Sequence, residues 1–163
     1  MDYYKSVMAE VVVNTASAAE TRALAGRIGQ RLVGGEVIEL SSDIGGGKTE
    51  FVRGLAAGAD SSEQVGSPTF TISRIYEGER VTLHHFDFYR LSRDPGLLRS
   101  ELSESVADPT VAVAVEWSHS VEDVLPHQRL RVVLTPTGDM QRRIALRFLP
   151  KDSTHSRLLK ELL

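Results

Sequence analysis

The stretch "ELSSDIGGGKTEFVRGL", Glu39 to Leu55, decides how this chain is read. A short apolar strand signal at Glu36 to Leu40 runs into three consecutive glycines, Gly45, Gly46 and Gly47. A helical pattern follows, with Phe51 and Leu55 four residues apart. The stretch approximates G-x-x-x-x-G-K-[ST], a phosphate-binding turn between strand and helix. Gly47, Lys48 and Thr49 fit that pattern, whereas Ser42 stands where it asks for glycine. The glycines remove every Cβ from the backbone that would wrap a phosphate. Lys48 falls at a helix amino terminus, where the dipole disfavours a cation unless an anion compensates it. A triphosphate would be that anion, with Lys48 bridging its β- and γ-phosphates and Thr49 ligating Mg²⁺ through its hydroxyl. The competing reading is a glycine-rich turn, which strand-to-helix junctions also favour. Serine at 42 is tolerated if its φ is negative and destabilises the loop if the position needs φ > 0. Glu50 suits the first turn of a helix and is expected to point away from the phosphates.

Composition narrows the class. With 163 residues, 41% hydrophobic and 25% charged, the chain reads as one domain over 1–163, with about 150–163 as a C-terminal extension. A formal charge of −3 disfavours stand-alone nucleic-acid binding, which needs a basic footprint. Cysteine is absent, which excludes disulfides, thiolate metal sites and a thiol nucleophile. No apolar run approaches a membrane span and the first residues lack a signal-peptide pattern, so a cytoplasmic location without membrane contact is expected.

Outward from the loop, strands and helices alternate. Val11 to Val13 is a short β-branched run, and residues 14–32 read as a helix stopped by Gly34 and Gly35. Ser17 with Glu20 makes a capping box, and Leu24, Ile28 and Leu32 share one face. Strands are expected at Thr69 to Tyr76 and Val81 to Phe88 around a turn, then one or two helices over 94–108 with Pro95 in a first turn. The valine-rich run Thr110 to Trp117 has the continuity of a strand buried on both faces. Closing strands follow at Leu130 to Leu134 and Ile144 to Phe148, then an amphipathic tail helix over 156–163. The expected fold is α/β, a mostly parallel central sheet with an antiparallel hairpin and closing strands, flanked by helices.

A phosphate loop needs acidic partners to hold Mg²⁺ and position water. Glu116 ends the buried strand, where such a carboxylate usually lies, although strand ends are often charged anyway. In "LHHFDFYRL", residues 83–91, strand alternation puts His85, Asp87 and Tyr89 on one face and His84, Phe86 and Phe88 on the other. Asp87 is read as facing the phosphate site; a solvated polar strand face is the alternative. A histidine–carboxylate zinc site lacks further ligands. In "GSPTFT", residues 66–71, the threonines beside rigid Pro68 read as a switch sensing the γ-phosphate or as plain entry into a strand. Trp117, the only tryptophan, belongs to the core or stacks on a base, and the arginines of 141–147 form a basic patch or a solvated strand face.

In order, "GEVIEL", "SSDIGGGKTEFVRGL", "VGSPTFT", "LHHFDFYRL" and "VAVAVEW" closely resemble the bacterial TsaE family, formerly YjeE, from about Glu20 to about Arg147. The resemblance implies an α/β P-loop fold that binds ATP and Mg²⁺. It implies an ATPase of tRNA threonylcarbamoyladenosine synthesis that acts on the TsaB–TsaD heterodimer and meets tRNA only through that complex. By match to the family's motifs, Asp43, Gly45, Gly46, Gly47, Lys48, Thr49, Thr69 and Trp117 bind the nucleotide. Thr49, Asp87 and Glu116 hold Mg²⁺, and Asp87 and Glu116 are the catalytic pair. The family's loop usually reads G-D-L-G-A-G-K-T. Here Ser42 replaces glycine, Ile44 leucine and Gly46 alanine, and Glu50 stands where threonine or serine is common. A small-molecule kinase on the same fold ranks lower, because no lid insertion is evident. An ATP-binding module with little turnover is the third reading, marked by the altered loop. Guanine reading is disfavoured by the lack of an N-K-x-D sequence.

Overall fold

A computed structural model describes residues 8–66, 73–89, 95–160 and 162. In chain order the elements are β1 (Ala9–Thr15), α1 (Ala18–Gly29), β2 (Val37–Ser41), α2 (Lys48–Gly58), β3 (Ser73–Tyr76) and β4 (Thr82–Asp87). Then come α3 (Pro95–Ala107), β5 (Val111–Glu116), β6 (Leu130–Pro136), β7 (Arg142–Phe148) and α4 (Ser153–Leu158). The strands form one sheet in the order β1-β7-β6-β2-β5-β4-β3.

The sheet is mixed, with the parallel centre, antiparallel hairpin and closing strands expected from the sequence. Its centre, β6-β2-β5-β4, is parallel. Both flanks are antiparallel, because β3–β4 and β6–β7 are hairpins and β1 returns along β7. The continuous valines of β5 are explained by its central place, where all six residues are buried.

Helix α1 begins where the capping box places it. Ser17 Oγ accepts from Glu20 N–H at 3.1 Å, and the Glu20 carboxylate accepts from Ala16 N–H at 2.7 Å. Asn14 and Thr15 are not helical as expected; they pair with Arg143 and Arg142 and end β1. The helix also stops at Gly29, short of the expected Leu32, and isolated turns carry the chain on to Leu32. Close packing on α2 accounts for glycine at that end, since a Cβ at Gly29 would lie 2.3 Å from the Leu55 carbonyl oxygen.

Two apolar layers sandwich the sheet. On one face α1 and α2 bury Leu24, Ile28, Phe51 and Leu55 against Ile38, Leu40, Ala112 and Ala114. On the other, Leu102 of α3 with Val121 and Leu125 covers Val113, Val115, Phe86 and Phe88. The tail helix starts earlier than expected, at Ser153, because Asp152 caps it by accepting from Thr154 N–H and His155 N–H. Leu158 and Leu159 join the first core and Leu162 packs against it. Among the described residues no helix is long and apolar enough to cross a membrane.

Candidate functional site

The parallel strands β2, β4 and β5 end together. Leu40 of β2 lies opposite Glu116 of β5, which lies opposite Asp87 of β4. In such sheets ligands bind beyond the carboxyl ends of the strands. The glycine loop opens there, between β2 and α2.

Backbone conformation explains the glycines. Gly45 has φ +76° and Gly47 φ +104°, a region that side chains disfavour. Gly47 is the residue immediately before α2 and offers no side-chain cap, so the first-turn N–H groups are not met by a capping side chain. Ser42 is not among the described residues with positive φ, which apart from glycine are Asp60 and Trp117. Its Cβ is therefore compatible with the backbone.

Lys48 is the buried centre of the site, 6% exposed. Its Nζ donates to Ser42 O at 3.2 Å, Ser42 Oγ at 2.8 Å and Asp43 O at 3.1 Å, all neutral oxygens of its own loop. The same ammonium lies 4.6 Å from the Trp117 ring centroid. Burial pushes the Lys48 pKa below its ordinary value, against the pull of Glu116, Asp87 and Asp43.

The two carboxylates differ in their support. Glu116, 4% exposed, bonds through Oε1 to His85 Nε2 at 2.9 Å. His85 is itself buried and its Nδ1 has no hydrogen-bond partner among the described residues. Among the described residues, Asp87 accepts from Tyr89 N–H, at 3.0 Å. Burial raises its pKa, with the like charge of Glu116 adding to the effect. Trp117 follows directly, held at φ +55° and ψ +49°, with its ring 4.9 Å from that of Tyr89. A bulky residue in the left-handed region stores strain of the kind concentrated at functional sites.

The expected pattern of faces holds on β4. Phe86 and Phe88 are buried and stack at 6.2 Å, while His85 and Asp87 face the loop side. Thr49 follows Lys48 in the first turn of α2, part-buried. Glu50 turns away from the loop, as expected, to Arg22 of α1 at 2.6 Å and to Arg53. Thr69 and the rest of "SPTFT" lie outside the described residues.

A match to the family described as Threonylcarbamoyl adenosine biosynthesis protein TsaE spans residues 15–144. The chain belongs to the TsaE family. The TsaE protein of Bacillus subtilis is 36% identical over 140 residues, covering 84% of this chain and 85% of that protein. That of Treponema pallidum is 35% identical over 130 residues, covering 80% and 95%. The crystal structure of Bacillus subtilis YdiB superposes with a TM-score of 0.77 at 30% identity, covering 96% of this chain and 95% of that one. The TsaE family belongs to tRNA threonylcarbamoyladenosine biosynthesis.

Two residues of this TsaE site were missed by sequence reasoning. His85 bonds Glu116 across the strand pair, and its signal was its place two residues before Asp87 on the same strand face. Arg142 was read only as part of a basic patch or a solvated strand face, with no sign of its link to the loop. From β7 it donates to Gly46 O at 3.0 Å and Gly45 O at 3.3 Å, tying the glycine loop to a strand nearly a hundred residues away.

Proposed function

We propose that this TsaE chain is a P-loop ATPase, binding ATP with Mg²⁺ and hydrolysing the nucleotide in tRNA threonylcarbamoyladenosine synthesis. Its partner is the TsaB–TsaD heterodimer, and it meets tRNA only through that complex. One observation carries the reading: a buried lysine at the mouth of α2 held by neutral oxygens, beside two carboxylates at neighbouring strand ends. A phosphate chain brings the charge that Lys48 lacks in direct contact, and a divalent cation brings the charge that Asp87 and Glu116 lack.

The residues divide the work. Backbone N–H groups from Asp43 and Gly45 to Lys48 surround the phosphates, and Lys48 spans the two outermost. Thr49, Asp87 and Glu116 hold Mg²⁺. No three His, Asp or Glu side chains among the described residues group as a metal site of their own. Mg²⁺ takes few protein carboxylates and completes its shell with water and phosphate oxygens. When bound, the ion neutralises charge on the phosphates. Glu116, oriented by His85, is the base that positions the attacking water, with Asp87 beside it. Lys48 and the loop N–H groups stabilise charge on the phosphate oxygens. Trp117 covers Lys48 and flanks the nucleotide, and Thr69 senses the γ-phosphate.

Calorimetry with Mg²⁺ and a non-hydrolysable ATP analogue tests the site. Lys48→Ala should weaken binding by at least about a hundredfold, the loss of a charge-assisted phosphate contact in a buried setting. Unchanged affinity would remove the loop from the account. Mixing with TsaB–TsaD should form a complex and raise ATP turnover; no complex with any nucleotide would sink the partner assignment.

A further inference from the structure

Ser42 and Gly46 occupy one space between them. A Cβ built on Gly46 would stand 2.5 Å from Ser42 Cβ and 2.3 Å from Ser42 Oγ, with the Asp43 carbonyl oxygen at 2.9 Å. Rotation about χ1 moves Oγ aside, but the backbone fixes Cβ. Gly46 does not have positive φ, so contact rather than backbone conformation forbids a side chain there. The Ser42 hydroxyl also has partners of its own. It accepts from Lys48 Nζ at 2.8 Å and donates to Asp43 O at 2.8 Å. Among the described residues three oxygens accept from the ammonium, and the Ser42 hydroxyl is the nearest and the one side chain. A phosphate reaching Lys48 therefore meets an ammonium already engaged by a serine.

We propose that Ser42 sets the phosphate affinity of this loop: its Cβ excludes any side chain at position 46, and its hydroxyl competes with phosphate for Lys48. The affinity half rests on the nucleotide reading above; the packing half does not. Four variants, Ser42→Ala, Gly46→Ala, Ser42→Gly/Gly46→Ala and Ser42→Ala/Gly46→Ala, separate the two. Each is followed by thermal unfolding without nucleotide and by calorimetry with Mg²⁺ and a non-hydrolysable ATP analogue.

Gly46→Ala should lower the unfolding midpoint by about 4 °C and weaken analogue binding about tenfold. Ser42→Gly/Gly46→Ala should recover most of both, since only the Asp43 oxygen then crowds the new methyl. Ser42→Ala/Gly46→Ala should unfold as early as Gly46→Ala, because the Cβ remains, and bind the analogue only about threefold better than Gly46→Ala. Ser42→Ala alone should bind the analogue about threefold more tightly, having lost only the competing hydroxyl. Wild-type behaviour of Gly46→Ala, or equal recovery in both double variants, would overturn the packing half. Equal or weaker binding by Ser42→Ala would overturn the competition. If the wild-type protein binds no analogue, the nucleotide reading and the affinity half both fall, and the unfolding cycle still decides the pairing.

Discussion

At the amino end of β2, Glu36 is fully buried and accepts from Val33 N–H, Gly34 N–H and Arg157, the last at 2.6 Å. Beside it, His155 Nε2 accepts from Val37 N–H at 3.0 Å, so its proton lies on Nδ1 and is donated to Asp152 at 2.5 Å. At the carboxyl end of the same strand, among the described residues, Lys48 leans on loop oxygens, Asp87 accepts one backbone bond and His85 Nδ1 has no partner. Both ends bury charge within one sheet. The first is saturated by the protein and fastens α4 to the core; the second leaves electrostatic capacity for something else. A buried polar network with every valence met stabilises one structure, whereas a partly met one is a candidate binding site.

The comparison can be broken at either end. The largest expected effect is on chemistry. Glu116→Gln should lower partner-stimulated ATP turnover by about a thousandfold, as loss of a positioned base does. Turnover within a few fold of wild type would move the base elsewhere. His155→Ala should do the reverse. It strands Asp152 and the Val37 N–H, so denaturant unfolding should show a loss of about 3 kcal/mol with analogue affinity unchanged. A stable His155→Ala protein with weak binding would erase the distinction between the two ends.

Arg142→Ala probes the link between β7 and the loop. It should weaken analogue binding about tenfold while shifting the unfolding midpoint by less than about 3 °C, because its role is to hold loop carbonyls. A large drop in midpoint with normal binding would make Arg142 structural. Asp87→Asn should show the smallest effect and an opposite sign in the two readouts. Burial raises the Asp87 pKa, so the ionised carboxyl opposes folding above that pKa and the penalty fades as pH falls through it. At neutral pH the ligand-free variant should unfold about 1–2 °C higher than wild type, an advantage that shrinks on acidification, while ATP turnover falls. A lower midpoint at neutral pH would contradict the assigned burial cost.

Much of this was legible in the chain. The cap at Ser17 and the β2–loop–α2 junction follow from local patterns, because each rests on contacts within a few residues, and the unbroken apolar run of β5 marks a strand covered on both faces. Alternation on β4 correctly separated Phe86 and Phe88 from His85 and Asp87. Element ends were less legible. Asn14 and Thr15 continue a helical pattern but are claimed by β7, and the tail helix starts at a cap rather than where its leucines begin. Periodicity reports which face is apolar and not which neighbour competes for the backbone. The place of β1 along β7 was beyond it too, since strand pairing is set by how distant segments return.

By itself, the sequence determined that a glycine loop joins a strand to a helix, that Lys48 and Thr49 open that helix, and that Asp87 and Glu116 close two strands. It also carried the family, because motif order along the chain is a property of the sequence alone. Only the tertiary structure decided that the strand ends meet, that His85 holds Glu116 and that Arg142 holds the loop. It alone showed Ser42 compatible with its backbone and filling the space above Gly46. The reason is distance: these are contacts of ångströms between positions fixed by φ, by register and by packing, none of which a residue's identity specifies.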